Sequence, residues 1–153
     1  FICASGTGGT IAGVSNALKE KNKNIKVYLS DPKGSCLYSY IKTREFKSEG
    51  NSITEGIGSS RVTKNFEKAL IDDAFSIDDN TALTVLFDLI EKEGLSLGTS
   101  SGINVAGAIK LAQELGPNKT IVTILCDKSD RYQGKLFNKK FLMDKNLPYP
   151  RWL

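Results

Sequence analysis

Four of the eight residues from Gly6 to Gly13 are glycine, and two more are threonine. The run GTGGT (Gly6–Thr10) follows an apolar stretch, Phe1–Ser5. It leads into Ile11, Val14, Ala17 and Leu18, which recur at helical spacing up to about Lys21. A glycine turn between a strand and a helix aims unpaired backbone N–H groups and the positive end of the helix dipole at one point. Two hydroxyls join them here. Such a point suits an anion, and glycine lets the backbone approach it without a Cβ in the way. The alternative reading is a purely structural tight turn. Two familiar patterns fail: Ile11 stands where G-x-G-x-x-G needs its third glycine, and no Gly-Lys-Ser/Thr follows at P-loop distance. A phosphate monoester is the common ligand left, and pyridoxal phosphate is the frequent cofactor of that shape.

Two later loops repeat the chemistry. Glu55-Gly56-Ile57-Gly58 sets flexible backbone beside a carboxylate. Gly98-Thr99-Ser100-Ser101-Gly102 opens a helical pattern in which Ser101 serves either the site or an N-cap. Histidine is absent, which removes Ser–His and Cys–His nucleophiles and histidine metal sites. Cys3, Cys36 and Cys126 are odd in number and lack metal-ligand spacing, so no metal is expected. Each sits in or beside an apolar run and reads as a small buried hydrophobe in a reducing, cytoplasmic setting. The net charge of +4 is mild. Its densest lysine group (Lys19, Lys21, Lys23, Lys26) reads as a solvated helix end rather than a nucleic-acid patch. No window approaches the length of apolar run a membrane helix needs.

Rigid elements must hold these loops. Four strands are expected: Phe1–Ser5, Ile25–Ser30, Asp73–Ile77 and Thr120–Cys126. The last, TIVTILC, is the most convincing, near-continuously apolar and β-branched as a strand buried on both faces should be. A short helix is expected over Cys36–Ile41. A longer one, capped by Asp78 or Asp79, carries Leu83, Leu86, Phe87, Leu89 and Ile90 and closes at Glu93-Gly94. Another follows the glycine-serine loop with Val105, Ala106, Ile109, Ala112 and Leu115, ending at Gly116-Pro117-Asn118. The alternation implies an α/β fold: a parallel twisted sheet with helices on both faces, one domain over residues 1–153. Right-handed crossovers then gather the glycine loops at the carboxyl edge of the strands. Four strands, one broken at residue 1, make a thin sheet, so the chain reads as part of something larger.

The ordered set GTGGT, DPKGS (Asp31–Ser35), EGIG (Glu55–Gly58), GTSSG (Gly98–Gly102) and CDKSDRY (Cys126–Tyr132) resembles the cysteine synthase (O-acetylserine sulfhydrylase) family. These are fold-type II pyridoxal-phosphate enzymes, a group that includes the cystathionine β-synthases. The likeness runs over essentially the whole chain and corresponds to the carboxyl-terminal half of such an enzyme. Lys135–Leu153 is similar to the carboxyl terminus of some bacterial members. The resemblance implies a tryptophan synthase β-like fold and pyridoxal 5′-phosphate as cofactor, its phosphate bound by Gly6, Thr7, Gly8, Gly9 and Thr10. It implies that Gly56, with Ile57 and Gly58, faces substrate and cofactor ring, and that Ser100 and Ser101 shape the pocket. The implied reaction is a β-replacement: a lysine removes the α-proton of O-acetylserine, acetate leaves, and sulfide adds to give cysteine. The implied partners are the amino-acid substrate, a second copy in a homodimer, and serine acetyltransferase bound at the active-site cleft, with no nucleic acid and no membrane.

Two departures qualify the likeness. The family's Schiff-base lysine and its asparagine-containing substrate loop precede GTGGT and have no counterpart here. No lysine of this chain sits in the S-x-K-x-R context, so no catalytic residue is assigned within it, and the chain alone is expected to lack β-replacement activity. In the family pattern P/C-D-S-G-x-R-Y a serine hydroxyl meets the pyridine nitrogen, whereas here Lys128 takes the serine position and Ser129 the glycine position. An ammonium has donors and no acceptor, and would oppose protonation of that nitrogen. Either Lys128 turns to solvent and Ser129 takes the nitrogen, or the turn is altered and the nitrogen is unsupported. The competing readings are a cystathionine β-synthase-like enzyme, disfavoured by an ending without a regulatory module, and a non-catalytic remnant or partner-binding module.

Overall fold

The computed structural model describes residues 1–153. Three parallel strands, β1 (Ile2–Cys3), β2 (Tyr28–Pro32) and β3 (Asp73–Ile77), form a sheet in that order, with Cys3 opposite Leu29 and Leu29 opposite Ala74. Between them run α1 (Gly9–Lys21), α2 (Leu37–Thr43) and α3 (Lys64–Glu67). After β3 come α4 (Asp79–Glu93), α5 (Thr99–Leu115), a 3₁₀ turn at Ser129–Tyr132, α6 (Gln133–Leu136) and α7 (Lys139–Asp144).

Strand alternation builds two cores. On one face Cys3, Leu29 and Ala74 meet Ile11 of α1, Leu37 of α2 and Phe66 of α3. On the other, Ile2, Phe75 and Ile77 meet Ala82 of α4 and Ile103, Ala106 and Leu111 of α5. Helices thus cover both faces, as the sequence pattern predicts. At Gly107 of α5 an added Cβ would lie 2.8 Å from the Ser30 Cβ, so glycine is what lets α5 settle onto β2. A third cluster packs Leu83, Leu86 and Phe87 of α4 against Tyr132, Leu136, Leu142 and Leu147, folding the carboxyl-terminal segment back over α4. Caps mark the boundaries. The Asp78 carboxylate accepts the Thr81 N–H (2.8 Å), and Gly94 ends α4 at φ 69°. Buried Asp31 accepts the Tyr38 N–H at the start of α2 (2.8 Å).

Several expectations need correction. Thr120–Cys126 runs alongside β1 but is not a regular strand, and it is not buried on both faces: Val122 is 55% and Leu125 48% exposed. The Ile2 N–H donates to the Val122 carbonyl (3.0 Å), yet side chains take over the rungs that follow. An apolar β-branched run records suitability for a sheet interior, whereas here only the β1 side is paired. Cys126 is exposed, unlike buried Cys3 and Cys36. Gly98, not Ser101, is the N-cap of α5. The short helices α3, α6 and α7 carry too little periodicity to be legible in sequence, although Thr63 caps α3 through the Phe66 N–H (3.2 Å).

Candidate functional site

The loop after β1, the Glu55–Ile57 loop, the start of α5 and the Cys126–Tyr132 segment enclose a cavity of about 540 Å³. Its floor is the GTGGT run. Gly8 is the N-cap of α1 at φ 85°, with no side-chain cap and no acidic residue in the first turn. The first N–H groups of a thirteen-residue helix therefore carry their partial positive charge unopposed by a carboxylate. Thr7, Gly9 and Thr10 are exposed to the cavity, while Gly8 is buried against Phe66. The Thr63 hydroxyl donates to the Thr7 carbonyl (2.7 Å), tying the turn to α3.

A second glycine loop is stitched to the first. The Gly58 N–H donates to the Ser5 carbonyl (2.9 Å), and a Cβ on Gly6 would run into the Gly56 carbonyl oxygen. Gly56 and Ile57 line the cavity, with Gly56 at φ 76°. Gly58 does not; it packs on the far side against Pro32 and Ser35. Lys135 donates to the Ile53 carbonyl (3.1 Å) and pairs with Glu55, which pulls the Glu55 carboxyl below its ordinary range. The third loop contributes Ser100. Ser101 is fully buried beneath it, its hydroxyl accepting the Cys126 N–H (3.0 Å).

The remaining wall differs from the sequence expectation. Gly98 N–H donates to the Asp127 carbonyl (2.9 Å) and Ser129 N–H to the Ser96 carbonyl (3.3 Å), clamping 127–129 against 96–98. Alternation along this extended clamp turns Lys128 to solvent, opposite its neighbours. The Ser129 hydroxyl is buried and shares a 2.6 Å hydrogen bond with the Ser96 hydroxyl. Neither Lys128 nor Ser129 lines the cavity; Asp127 and Ser100 do. Asp127 accepts the Tyr132 hydroxyl (2.7 Å), and that bond to a carboxylate raises the phenol to about 12. Its other oxygen is buried without a partner, as is the hydroxyl of Ser5. Burial pushes the Cys3 thiol on the cavity wall up to about 12.

Asp127, Arg131 and Asn104 also line the site and escaped the sequence reading. Asp127 and Arg131 fall within the recognised CDKSDRY run, so their signal was present; Asn104 closes the glycine-serine run LGTSSGIN (Leu97–Asn104), but nothing in that run singles it out. The floor fits a phosphate monoester: an uncapped helix start, glycines at contact distance and two exposed threonines beside them. The phosphate of pyridoxal 5′-phosphate is such a group.

The sequence profile of the family described as "Pyridoxal-phosphate dependent enzyme" matches residues 1–127, and the chain belongs to that family. It is 44% identical to a cysteine synthase of Dictyostelium discoideum over 95% of this chain and 41% of that protein, and 43% identical to cysteine synthase 1 of Neurospora crassa over 96% and 40%. A solved O-acetylserine dependent cystathionine beta-synthase from Helicobacter pylori superposes with a TM-score of 0.79 at 34% identity, covering 88% of this chain and 42% of that one. The chain thus spans about two-fifths of the length of these relatives. No helix is long and apolar enough to cross a membrane.

Proposed function

We propose that this chain forms the phosphate-binding part of a cysteine synthase that replaces the acetate of O-acetylserine with sulfide. The uncapped glycine cup, closed against the Gly56 loop in a chain 44% identical to a cysteine synthase, carries the reading. In it, the α1 N–H groups and the Thr7 and Thr10 hydroxyls hold the cofactor's phosphate, while Gly56, Ile57 and Ser100 bound the space for ring and substrate. When bound, the cofactor supplies the electron sink that stabilises the carbanion at the substrate's α-carbon. Asp127, held by Tyr132, and Arg131 set the charge at the mouth. No lysine lines this cavity, and the base that moves the α-proton is assigned to a part of the enzyme outside residues 1–153.

A cystathionine β-synthase-like activity on the same O-acetylserine is the second reading, favoured by the Helicobacter pylori structure. A homodimer, docking of serine acetyltransferase at the cleft mouth and a cytoplasmic location complete the proposal. The test is titration of the 153-residue chain with pyridoxal 5′-phosphate, followed by phosphorus NMR and cofactor absorbance. Reversible binding without a lysine-linked absorbance band is expected, and no cysteine formation by the chain alone. Mixing it with the amino-terminal part of a relative and offering sulfide or homocysteine separates the two activities. Absence of any cofactor binding would leave the non-catalytic remnant as the correct reading.

A further inference from the structure

At the edge of the sheet beside the cavity two side chains stand where backbone rungs would pair β1 with the 120–126 segment. In a parallel ladder the bond from the Ile2 N–H to the Val122 carbonyl (3.0 Å) is followed by one from the Ala4 N–H to the Ile124 carbonyl. That rung is replaced. The Asn104 carboxamide stands between the two groups, its Oδ1 accepting the Ala4 N–H (2.6 Å) and its Nδ2 donating to the Ile124 carbonyl (2.8 Å). The same Nδ2 lies 3.6 Å from the Cys126 sulfur. One rung earlier the Thr123 hydroxyl, not a backbone N–H, donates to the Ile2 carbonyl (2.7 Å). Asn104 is 1% exposed, sits one turn into α5 beyond Ser100, and lines the cavity at the point where β1 gives way to the glycine cup.

We infer that Asn104 is a positioning residue for cofactor binding: its carboxamide, acting as an inserted peptide group, splays β1 from the 120–126 segment and so sets the aperture of the phosphate cup. The inference rests on the proposed cofactor-binding reading. A primary amide is the side chain suited to the task. It presents one acceptor and one donor in opposite directions in a plane, matching an N–H on one strand and a C=O on the other. Ala4 immediately precedes Ser5 and Gly6, so the bond to its N–H fixes the start of the loop whose N–H groups receive the anion. A binding constellation must be held to within about 0.5 Å by the hydrogen bonds around it.

The experiment compares the 153-residue chain with Asn104→Ala and Asn104→Asp, with inorganic phosphate and pyridoxal 5′-phosphate as probes. Affinities are read by phosphorus NMR titration and folding by circular dichroism and denaturant midpoint. At neutral pH both variants are expected to stay folded and to bind each probe about tenfold or more weakly than wild type. The carboxylate of Asn104→Asp still accepts from Ala4 but opposes the Ile124 carbonyl. At pH values that protonate it, the acid O–H donates to Ile124, and affinity relative to wild type at the same pH should recover. If Asn104→Ala fails to fold, the acid rescue of Asn104→Asp decides. Variants that bind both probes as wild type does, or an Asn104→Asp deficit unchanged across pH, overturn the positioning role alone. A wild-type chain that binds neither probe overturns the cofactor reading and this inference together.

Discussion

Replacing Gly8 by alanine isolates what the glycine cup demands. Gly8 adopts φ 85°, a left-handed conformation that costs an L-residue about 1–2 kcal/mol. Its Cβ would also fall 2.5 Å from the Phe66 N, 2.7 Å from its Cα and 2.8 Å from its Cβ. Phe66 is 2% exposed in the core under α1 and α2 and has no room to retreat, so the overlap adds about 1–3 kcal/mol, as overpacking does elsewhere. The sum, about 3 kcal/mol, lowers the thermal midpoint of a chain this size by about 6–12 °C. Gly9 is the control one residue away: a Cβ there meets only the Thr7 hydroxyl, at 3.9 Å, in the first turn of a helix. Gly9→Ala is therefore expected to hold or raise stability by about 0.5–1 kcal/mol. Urea denaturation followed by far-ultraviolet circular dichroism measures both. A Gly8→Ala midpoint equal to wild type, or an equal loss in Gly9→Ala, would refute the reasoning.

Other outcomes follow from the same geometry. Ser100→Ala should weaken cofactor binding in a titration. Ser129→Ala should leave binding unchanged and lower stability by about 1 kcal/mol through the lost bond to Ser96. Asp31 is fully buried, and burial raises its carboxyl from 3.8 to about 6 against the opposing bond from the Tyr38 N–H. A folded-state value above the unfolded one means stability is full below about pH 4 and declines as pH rises through about 6. The contribution lost is of order 3 kcal/mol. Asp31→Asn should flatten that part of the stability–pH curve, and an unaltered slope would exclude Asp31 as its source. In Tyr132→Phe the high-pH tyrosine absorbance titration should lose the component near 12 that the Asp127 bond creates.

Much of the site was legible because its chemistry depends on contiguous runs. GTGGT, Glu55–Gly58 and Gly98–Gly102 each announce a loop whose backbone must approach something closely, and the structure brings Gly6–Thr10, Gly56, Ile57 and Ser100 to one cavity. The three-layered arrangement, a sheet between two helix layers, followed from alternating strand and helix periods, which depend only on local geometry. Side-chain direction at a clamped turn is another matter. Lys128 and Ser129 could not be oriented from CDKSDRY, because the antiparallel contact of 127–129 with 96–98 decides which residue faces inward. The same holds for Thr120–Cys126. Its composition determined that it suits a sheet, while the rungs along β1 were decided by Asn104 and Thr123, which no periodicity marks.

The sequence by itself thus determined the fold class, the family and the positions of the glycine loops, since each rests on local backbone preference and the order of short motifs. Tertiary structure alone decided which residues share the cavity: Asp127 and Ser100 inside, Ser129 and Gly58 outside, Asn104 across the gap. The reason is physical. A glycine turn carries its conformation with it, but a side chain's partner is set by whichever element packs opposite, and that is known only once the chain has closed on itself.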